Sequence, residues 1–559
     1  MKRITNLWPW LAAVLSGLLY AACFAPFNLT WFCWIALTPL IAAIWFSRPN
    51  SRRRWLRSLL LGYVAGLAFF WIVFSWLTTV TVLGWFVLQF YMAIYFAIWA
   101  WFCDLLRPRA PNKRQPHAAS KWDQMLVQAR SAAPPAVQSP WTKSTNNLRL
   151  AFMLAAAWTT LEWLRGWVFS GFGWNGLGVA LHDNWPLIQI AELTGVAGLS
   201  FLVAFANVII ITTVYRLVVE ARTRVMRPHF DFTVTMAAIV GVLIFGIRAA
   251  QVSSTTKSLR VAAVQSNVPQ NQKFDPEFTK RIFDQFRRLS EIALRSSPPP
   301  DLLVWPESSM PGPVLADRQS RKFVMDLAAS SETDLLLGTI DVDEQNVYNA
   351  ALLISDGGER VQIYRKIHLV PFGEYVPGRH TVPLLAQIVG DQVPDDFKGG
   401  SEYKVFTLTN GAIHVAPLIC FEDTIGELTR QFVLPSETSP GANLLVDITN
   451  DGWFQRSAGS HQHLANSLFR CVETRRPMIR AANTGVTCFI NQFGRITQIL
   501  RDDTGSTFTE GVLAGEIKVP TEHELTFYVR HGEVFAKACT AITLISILVL
   551  FALRRWKRA

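Results

Sequence analysis

The chain has 559 residues, half of them hydrophobic, with 21 Trp, 37 Phe and a formal net charge of +12. That length excludes a single ordinary domain, and that apolarity excludes a protein soluble throughout. The basic balance does not point to nucleic acid. Lys and Arg gather in short connections between apolar runs, and no basic motif interleaved with aromatics is present.

A helix needs about 20 apolar residues to cross a bilayer core. Candidate spans stand near 8–24, 28–46, 57–78, 81–105, 149–169, 195–217 and 232–250, with a last one near 535–553. The first follows Lys2 and Arg3 but ends without a small-x-small cleavage site, and so reads as a retained helix. Glu162 and Arg165 interrupt the fifth. Basic groups precede the first span, separate the second from the third, follow the fourth, separate the sixth from the seventh, and close the chain. The connections near 25–28, 79 and 170–190 carry almost no Lys or Arg. The positive-inside rule then puts both termini in the cytoplasm. An odd number of spans before the next region puts that region outside, in the periplasm of a Gram-negative cell. The stretch 107–147 is basic and rich in Pro, Ala, Ser and Gln, and is expected to be a disordered cytoplasmic loop.

From about 258 the pattern changes. Leu259–Gln265, Asp301–Trp305 and Asp334–Gly338 read as strands, with helices near 275–296 and 316–330 between them. Further strands are predicted at 403–408, 412–419, 443–449 and 485–490, with a helix near 460–475. Continuous apolar strands imply sheets covered on both faces. The expected organisation is a membrane domain over 1–255, an α/β domain over 256–525, and a terminal helix with a basic tail over 530–559.

Of the seven cysteines, Cys23, Cys33, Cys103 and Cys539 lie in apolar runs. No paired spacing suggests a disulfide framework or a zinc site. Cys471, mid-helix, and Cys488, in an apolar strand, read as core. Cys420 differs: Ala416-Pro417-Leu418-Ile419 breaks there into Phe421-Glu422-Asp423, which holds a thiol at the tip of a strand. A thiol attacks as the thiolate, so it needs a base and a cationic neighbour. Glu307, in Trp305-Pro306-Glu307, and Lys366, in Tyr364-Arg365-Lys366-Ile367-His368, each end a short apolar segment and supply those two groups. Arg365 reads as an ordinary ion-pair residue, and His368 as structural.

Five motifs in order carry a resemblance. They are Val264–Gln270, Trp305-Pro306-Glu307, Tyr364–Pro377, Ile419-Cys420-Phe421-Glu422, and Asn450-Asp451-Gly452-Trp453-Phe454. Together they are similar to the carbon–nitrogen hydrolase (nitrilase) superfamily. With the apolar helices added, the chain resembles the bacterial apolipoprotein N-acyltransferases. The resemblance implies a multi-span α-helical membrane bundle carrying a nitrilase-like four-layer α-β-β-α sandwich.

It further implies a catalytic set of Glu307 as base, Lys366 as oxyanion partner and Cys420 as nucleophile. Glu374, Phe421 and Glu422 are expected to support them, Phe421 through its backbone where relatives often carry a Tyr. Trp453 is expected to line the acyl pocket. The implied partners are a phospholipid acyl donor, a diacylated apolipoprotein acceptor and the membrane. No cofactor, metal or nucleic acid is expected, and the expected state is a monomer. The rival reading is a membrane-tethered amidase or nitrilase using the same three residues with water as acceptor. Leu369-Val370-Pro371-Phe372 and Trp453-Phe454 are expected to form a lipid-facing lid.

Overall fold

The computed structural model describes residues 4–47, 53–107, 140–223, 226–251, 255–273, 275–379, 396–437, 439–522 and 524–556. Its first part is helical: α1 (Ile4–Ala21), α2 (Thr38–Phe46), α3 (Arg54–Val73), α4 (Val82–Leu105), α5 (Pro140–Arg165), α6 (Val196–Thr223) and α7 (Phe230–Ala249). Among the described residues, five helices are long and apolar enough to cross a membrane: α3, α4, α6, α7 and a C-terminal helix at Val534–Leu553.

Three of the eight expected spans fall short of that measure. The second is broken, with a 3₁₀ turn at Thr30–Trp34 and then the nine-residue α2, whose first turn holds Pro39. Proline is accepted there because the first helical N–H groups lack partners anyway, but it ends any helix running in from before. The first is an 18-residue helix, Ile4–Ala21, whose fully described part, Leu7–Ala21, is apolar but shorter than that measure. The fifth, α5, carries Lys143, Asn146, Asn147 and Arg149 in its first turns. This helix also corrects the expected loop: residues 140–147 are helical, with Pro140 at the opening position, while 108–139 lie outside the described residues. Many of the basic residues invoked for orientation, Arg48 and Arg52 among them, also lie outside them.

The second part holds two six-stranded sheets. The first comprises β1 (Thr256–Gln265), β2 (Leu302–Val304), β3 (Asp334–Val342), β4 (Val347–Ser355), β5 (Arg360–Arg365) and β12 (Gly511–Pro520), in the order β12-β1-β2-β3-β4-β5. The second runs β11-β10-β9-β8-β7-β6, built from β6 (Phe406–Thr407), β7 (His414–Ile419), β8 (Leu444–Thr449), β9 (Met478–Ala482), β10 (Cys488–Ile490) and β11 (Ile496–Ile499). Strands β1, β2 and β3 pair in parallel, as do β7, β8 and β9.

Side-chain alternation along β1 builds the layers. Val261 and Ala263 join the large core shared with the second sheet, whereas Ala262 and Val264 join a separate core. That separate core is closed by α8 (Thr279–Leu294) and α9 (Arg318–Ala329). In α8 the buried Ile282, Phe283, Phe286, Leu289 and Ala293 follow helical spacing and form one stripe. Helices α10 (Gly426–Val433), α11 (Gly459–Ser467) and α12 (Phe469–Thr474) cover the second sheet, and α13 (Val534–Trp556) returns to the helical part. The result is the expected α-β-β-α sandwich.

Candidate active site

Three strand ends converge. Glu307 stands three residues beyond β2, Lys366 immediately beyond β5, and Cys420 immediately beyond β7. The backbone packs so closely that a Cβ on Gly338 would lie 2.6 Å from the Glu307 Cα, so only glycine lets β3 pass. Cys420 has φ of +56°, with Ser308 at +47° and Phe372 at +61° close by in sequence to the other site residues. Each such left-handed non-glycine residue costs on the order of 1–3 kcal/mol and persists only when its surroundings over-determine it.

For Cys420 the over-determination comes from Glu422. This buried carboxylate accepts from the backbone N–H of Ile419 at 3.0 Å, Ile367 at 2.8 Å and His368 at 3.0 Å, and from the Tyr364 hydroxyl at 2.8 Å. One side chain thus joins the turn bearing the thiol to the turn bearing Lys366. Burial pushes the Glu422 carboxyl up to about 7, against the pull of Lys366 and these donors.

Lys366 is fully buried and contacts both oxygens of Glu374, at 3.0 and 2.9 Å. Burial pushes its amine down, but the charge of Glu374, with Cys420, Glu307 and Glu422 behind it, outweighs that and raises it. Lys366 is therefore an ammonium at any physiological pH. Asn349, in the middle of β4, donates from one nitrogen to Glu307 Oε1 at 2.7 Å and to Glu374 Oε1 at 2.8 Å. A second buried lysine, Lys273, donates to the Glu307 carbonyl at 2.6 Å. Burial lowers its pKa to about 8, with Glu307 and Cys420 acting in the opposite direction. Burial and the charge of Glu307 push the Cys420 thiol well up, opposed by Lys366 and a hydrogen bond from Thr449. This environment disfavours the thiolate.

Aromatic rings from the helical part cover this centre. Phe421 stacks on Phe172 at 5.8 Å and on Trp174 at 6.2 Å, with ring planes within 4° and 2° of parallel. His368 stacks on Phe421 at 5.9 Å. Phe454 meets Trp76 edge-on at 4.5 Å, and the Trp453 carbonyl accepts from Thr79 Oγ1 at 2.9 Å. Residues 172–174 and 76–79 come from the connections after α5 and α3.

These two regions match two known families. The Apolipoprotein N-acyltransferase N-terminal domain family matches residues 16–209, and the Carbon-nitrogen hydrolase family matches residues 260–525. An apolipoprotein N-acyltransferase of Geobacter metallireducens is 33% identical over 547 residues, spanning 95% of this chain and 93% of that protein. This chain belongs to the apolipoprotein N-acyltransferase family. A relative of the same description from Bradyrhizobium diazoefficiens is 28% identical over 582 residues, covering 98% of this chain and 96% of its own. With its apolar helices, this member of the apolipoprotein N-acyltransferases is a bacterial membrane protein.

Among the residues that sequence motifs singled out in this family member, Glu307, Lys366, Glu374 and Glu422 form one connected cluster around the Cys420 turn. Phe421 contributes its ring to the stack. Trp453 stands apart: it is 36% exposed, and its neighbour Phe454 is the residue that joins the aromatic cover. Arg365 pairs with Asp341 at 2.7 Å and Asp343 at 3.4 Å, the structural role read for it. Cys471 and Cys488 are buried core.

Motif reading passed over Asn349, Lys273 and a buried charge cluster behind the thiol. In that cluster Arg480 contacts Asp423, Asp447 at 2.6 Å and Asp451 at 3.2 Å. His463 bridges Asp423 at 2.8 Å and Asp451 at 2.9 Å. Burial raises Asp447 well above the usual carboxylate range, with Asp423 adding to it. Burial also acts to raise Asp423 and Asp451, but His463 and Arg480 outweigh it and hold both below. For His463, burial acts downward and Asp423 outweighs it, so the imidazole is raised. Burial and Asp423 thus favour the neutral form of Asp447, while His463 and Arg480 favour the ionised forms of Asp423 and Asp451.

Proposed function

We propose that this acyltransferase carries a fatty acyl chain on Cys420, from a membrane phospholipid to the α-amino group of a lipoprotein's N-terminal S-diacylglyceryl-cysteine. The observation that carries the reading is the juxtaposition of a strand-tip thiol with Glu307 and Lys366 beneath an aromatic cover supplied by the membrane helices. Glu307 takes the thiol proton as sulfur attacks the ester carbonyl. Lys366 and the Phe421 N–H, in the first turn after the nucleophile, stabilise the oxyanion; losing one such donor costs about 10²–10³ in rate. Collapse breaks the ester C–O bond, and Glu307 returns the proton to the departing lysophospholipid oxygen. The lipoprotein amine then attacks the thioester and loses a proton to Glu307. The C–S bond breaks, the amide is complete, and the proton returns to the thiol.

Both substrates carry acyl chains. Each buried CH₂ is worth about 0.8 kcal/mol, so neither leaves the bilayer readily and the site must meet it at the surface. In this reading the membrane part spans 1–255, the catalytic domain 256–525 and the terminal helix and tail 530–559. The alternation of basic connections in the sequence supports a catalytic domain on the periplasmic face of the inner membrane. The chain acts as a monomer, with Phe372, 42% exposed, and Trp453 forming a lipid-facing rim. The amidase reading is less favoured, because a small soluble amide gives no use for the aromatic cover and the spans.

The test supplies labelled phospholipid and a diacylated lipopeptide to the full-length protein. A Cys420-linked acyl thioester should form with phospholipid alone and disappear when lipopeptide is added, with N-acylated lipopeptide accumulating. Cys420→Ser should stop or trap the first step. Full turnover in that variant, or no thioester in the wild type, sinks the reading.

A further inference from the structure

Helix α11 contacts the helical part of the molecule through Gln462 and Asn466. Gln462 is buried, and its Oε1 accepts from Trp76 Nε1 at 3.1 Å, Trp174 Nε1 at 3.1 Å and Asn175 Nδ2 at 3.0 Å. Its Nε2 donates to the Ala25 carbonyl at 2.8 Å. Three N–H groups on one atom and a carbonyl on the other fix the amide's orientation chemically. One turn along the same face, Asn466 accepts from the Asn175 N–H at 3.0 Å and donates to Asn175 Oδ1 at 2.9 Å. The bonded segments follow α1, α3 and α5, so a single amide collects three connections of the helical part.

The next residue, His463, serves the opposite side. It holds Asp423, three residues beyond the nucleophile, and Asp451. Trp174 also lies against the His463 ring at 5.2 Å. A path of direct contacts therefore runs from the membrane helices through Gln462 and His463 to the Cys420 turn. The ion pairs around His463 belong to the α/β domain alone and persist whether or not the amide is there.

We propose that Gln462 is a positioning residue that sets the register of Cys420 against the bilayer, so that a membrane-held ester reaches the thiol. The proposal rests on the phospholipid-donor reading above. A phospholipid ester is held at a fixed depth by its tails and does not rise to meet a displaced thiol. A short water-soluble ester arrives from solution and needs no such register. Loss of the amide therefore separates the two donors, whereas damage to the catalytic groups affects both alike.

The experiment measures Cys420 acylation of the full-length protein in vesicles of phosphatidylethanolamine and phosphatidylglycerol. It compares those lipids with p-nitrophenyl butyrate as the soluble donor. Gln462→Leu should lose at least about tenfold more rate with the vesicle lipid than with the soluble ester, a difference of about 1.4 kcal/mol in barrier. Gln462→Glu, which keeps an acceptor for the three N–H groups but loses the donor to the Ala25 carbonyl, should recover part of that loss. If Gln462→Leu does not fold, the double variant Trp76→Phe with Asn175→Ala removes two of the donors and should show the same selectivity. An equal fall with both donors, or no fall with either, overturns the proposal. Wild-type protein acylated by the soluble ester but never by vesicle lipid overturns the phospholipid-donor reading, and the proposal with it.

Discussion

Asn349→Leu tests the proposed role of Glu307 as base. The amide nitrogen reaches Glu307 Oε1 at 2.7 Å and Glu374 Oε1 at 2.8 Å, while among the described residues Glu307 Oε2 and Asn349 Oδ1 have no partner. Leucine is close in shape and gives up no bond on the Oδ1 side. What it removes is the hydrogen bond to the Glu307 carboxylate, one that involves a charged group and is worth about 1.5–3 kcal/mol. Glu374 keeps Lys366 and the Val370 N–H at 2.8 Å, so the lysine's position survives. At about 1.4 kcal/mol per factor of ten, single-turnover acylation of Cys420 should fall about 10- to 150-fold. The assay follows transfer of labelled acyl chain to the protein under excess phospholipid, with thermal unfolding measured alongside. Asn349→Asp should be worse than Asn349→Leu, because it sets a third carboxylate against two. A folded Asn349→Leu protein that acylates at the wild-type rate refutes this account of the base.

Lys273 has a folded pKa near 8 against an ordinary 10.5. Between those values the unfolded chain is protonated and the folded one is not, so stability rises with pH across that window, by at most about 3 kcal/mol. Lys273→Met should flatten this rise in denaturation measured at pH 7 and pH 10, while acylation falls because the Glu307 carbonyl loses its donor. In the buried cluster, Asp447→Asn should shift stability by less than about 1 kcal/mol, since burial and Asp423 already favour the neutral form of that carboxyl. Asp423→Asn should be costlier, about 3–5 kcal/mol, because it unbalances Arg480 and His463; equal melting points for the two variants would contradict the charge assignment. Glu422→Ala should release the N–H groups of Ile367, His368 and Ile419 together, and proteolysis should then cut near Lys366 or Cys420 more readily than in the wild type.

Glu307, Lys366 and Cys420 were legible as candidates because each follows an apolar strand, and a hydrophobic run breaking into polar residues marks a sheet edge. Asn349 was not, for the opposite reason: it sits inside a strand, and no local pattern distinguishes a polar residue aimed at a carboxylate from one that is incidental. The charge cluster has the same character, its members being separated in sequence and brought together by strands β8 and β9 and helix α11. Hydropathy located the helical region but not its breaks, since a window averages across the turn at Thr30–Trp34 and the proline in α2. Phe421 is the instructive case. Read as a missing hydroxyl, it is in the structure a ring stacked between His368 and rings from the membrane part. Trp453 was expected to line the acyl pocket, yet the edge-on contact with Trp76 belongs to Phe454.

The stack of Phe172, Trp174 and Phe421 has a consequence for how this enzyme can be divided. Two of these three rings are encoded before residue 175 and one after residue 420. A fragment beginning at β1 would keep every ionisable group of the centre and yet present one bare aromatic face to water. Such a fragment would be adhesive, and the proposed thioester would stand open to hydrolysis. The catalytic half is therefore not a module to be transplanted: exchanging it between relatives should succeed only when the loop after α5 travels with it.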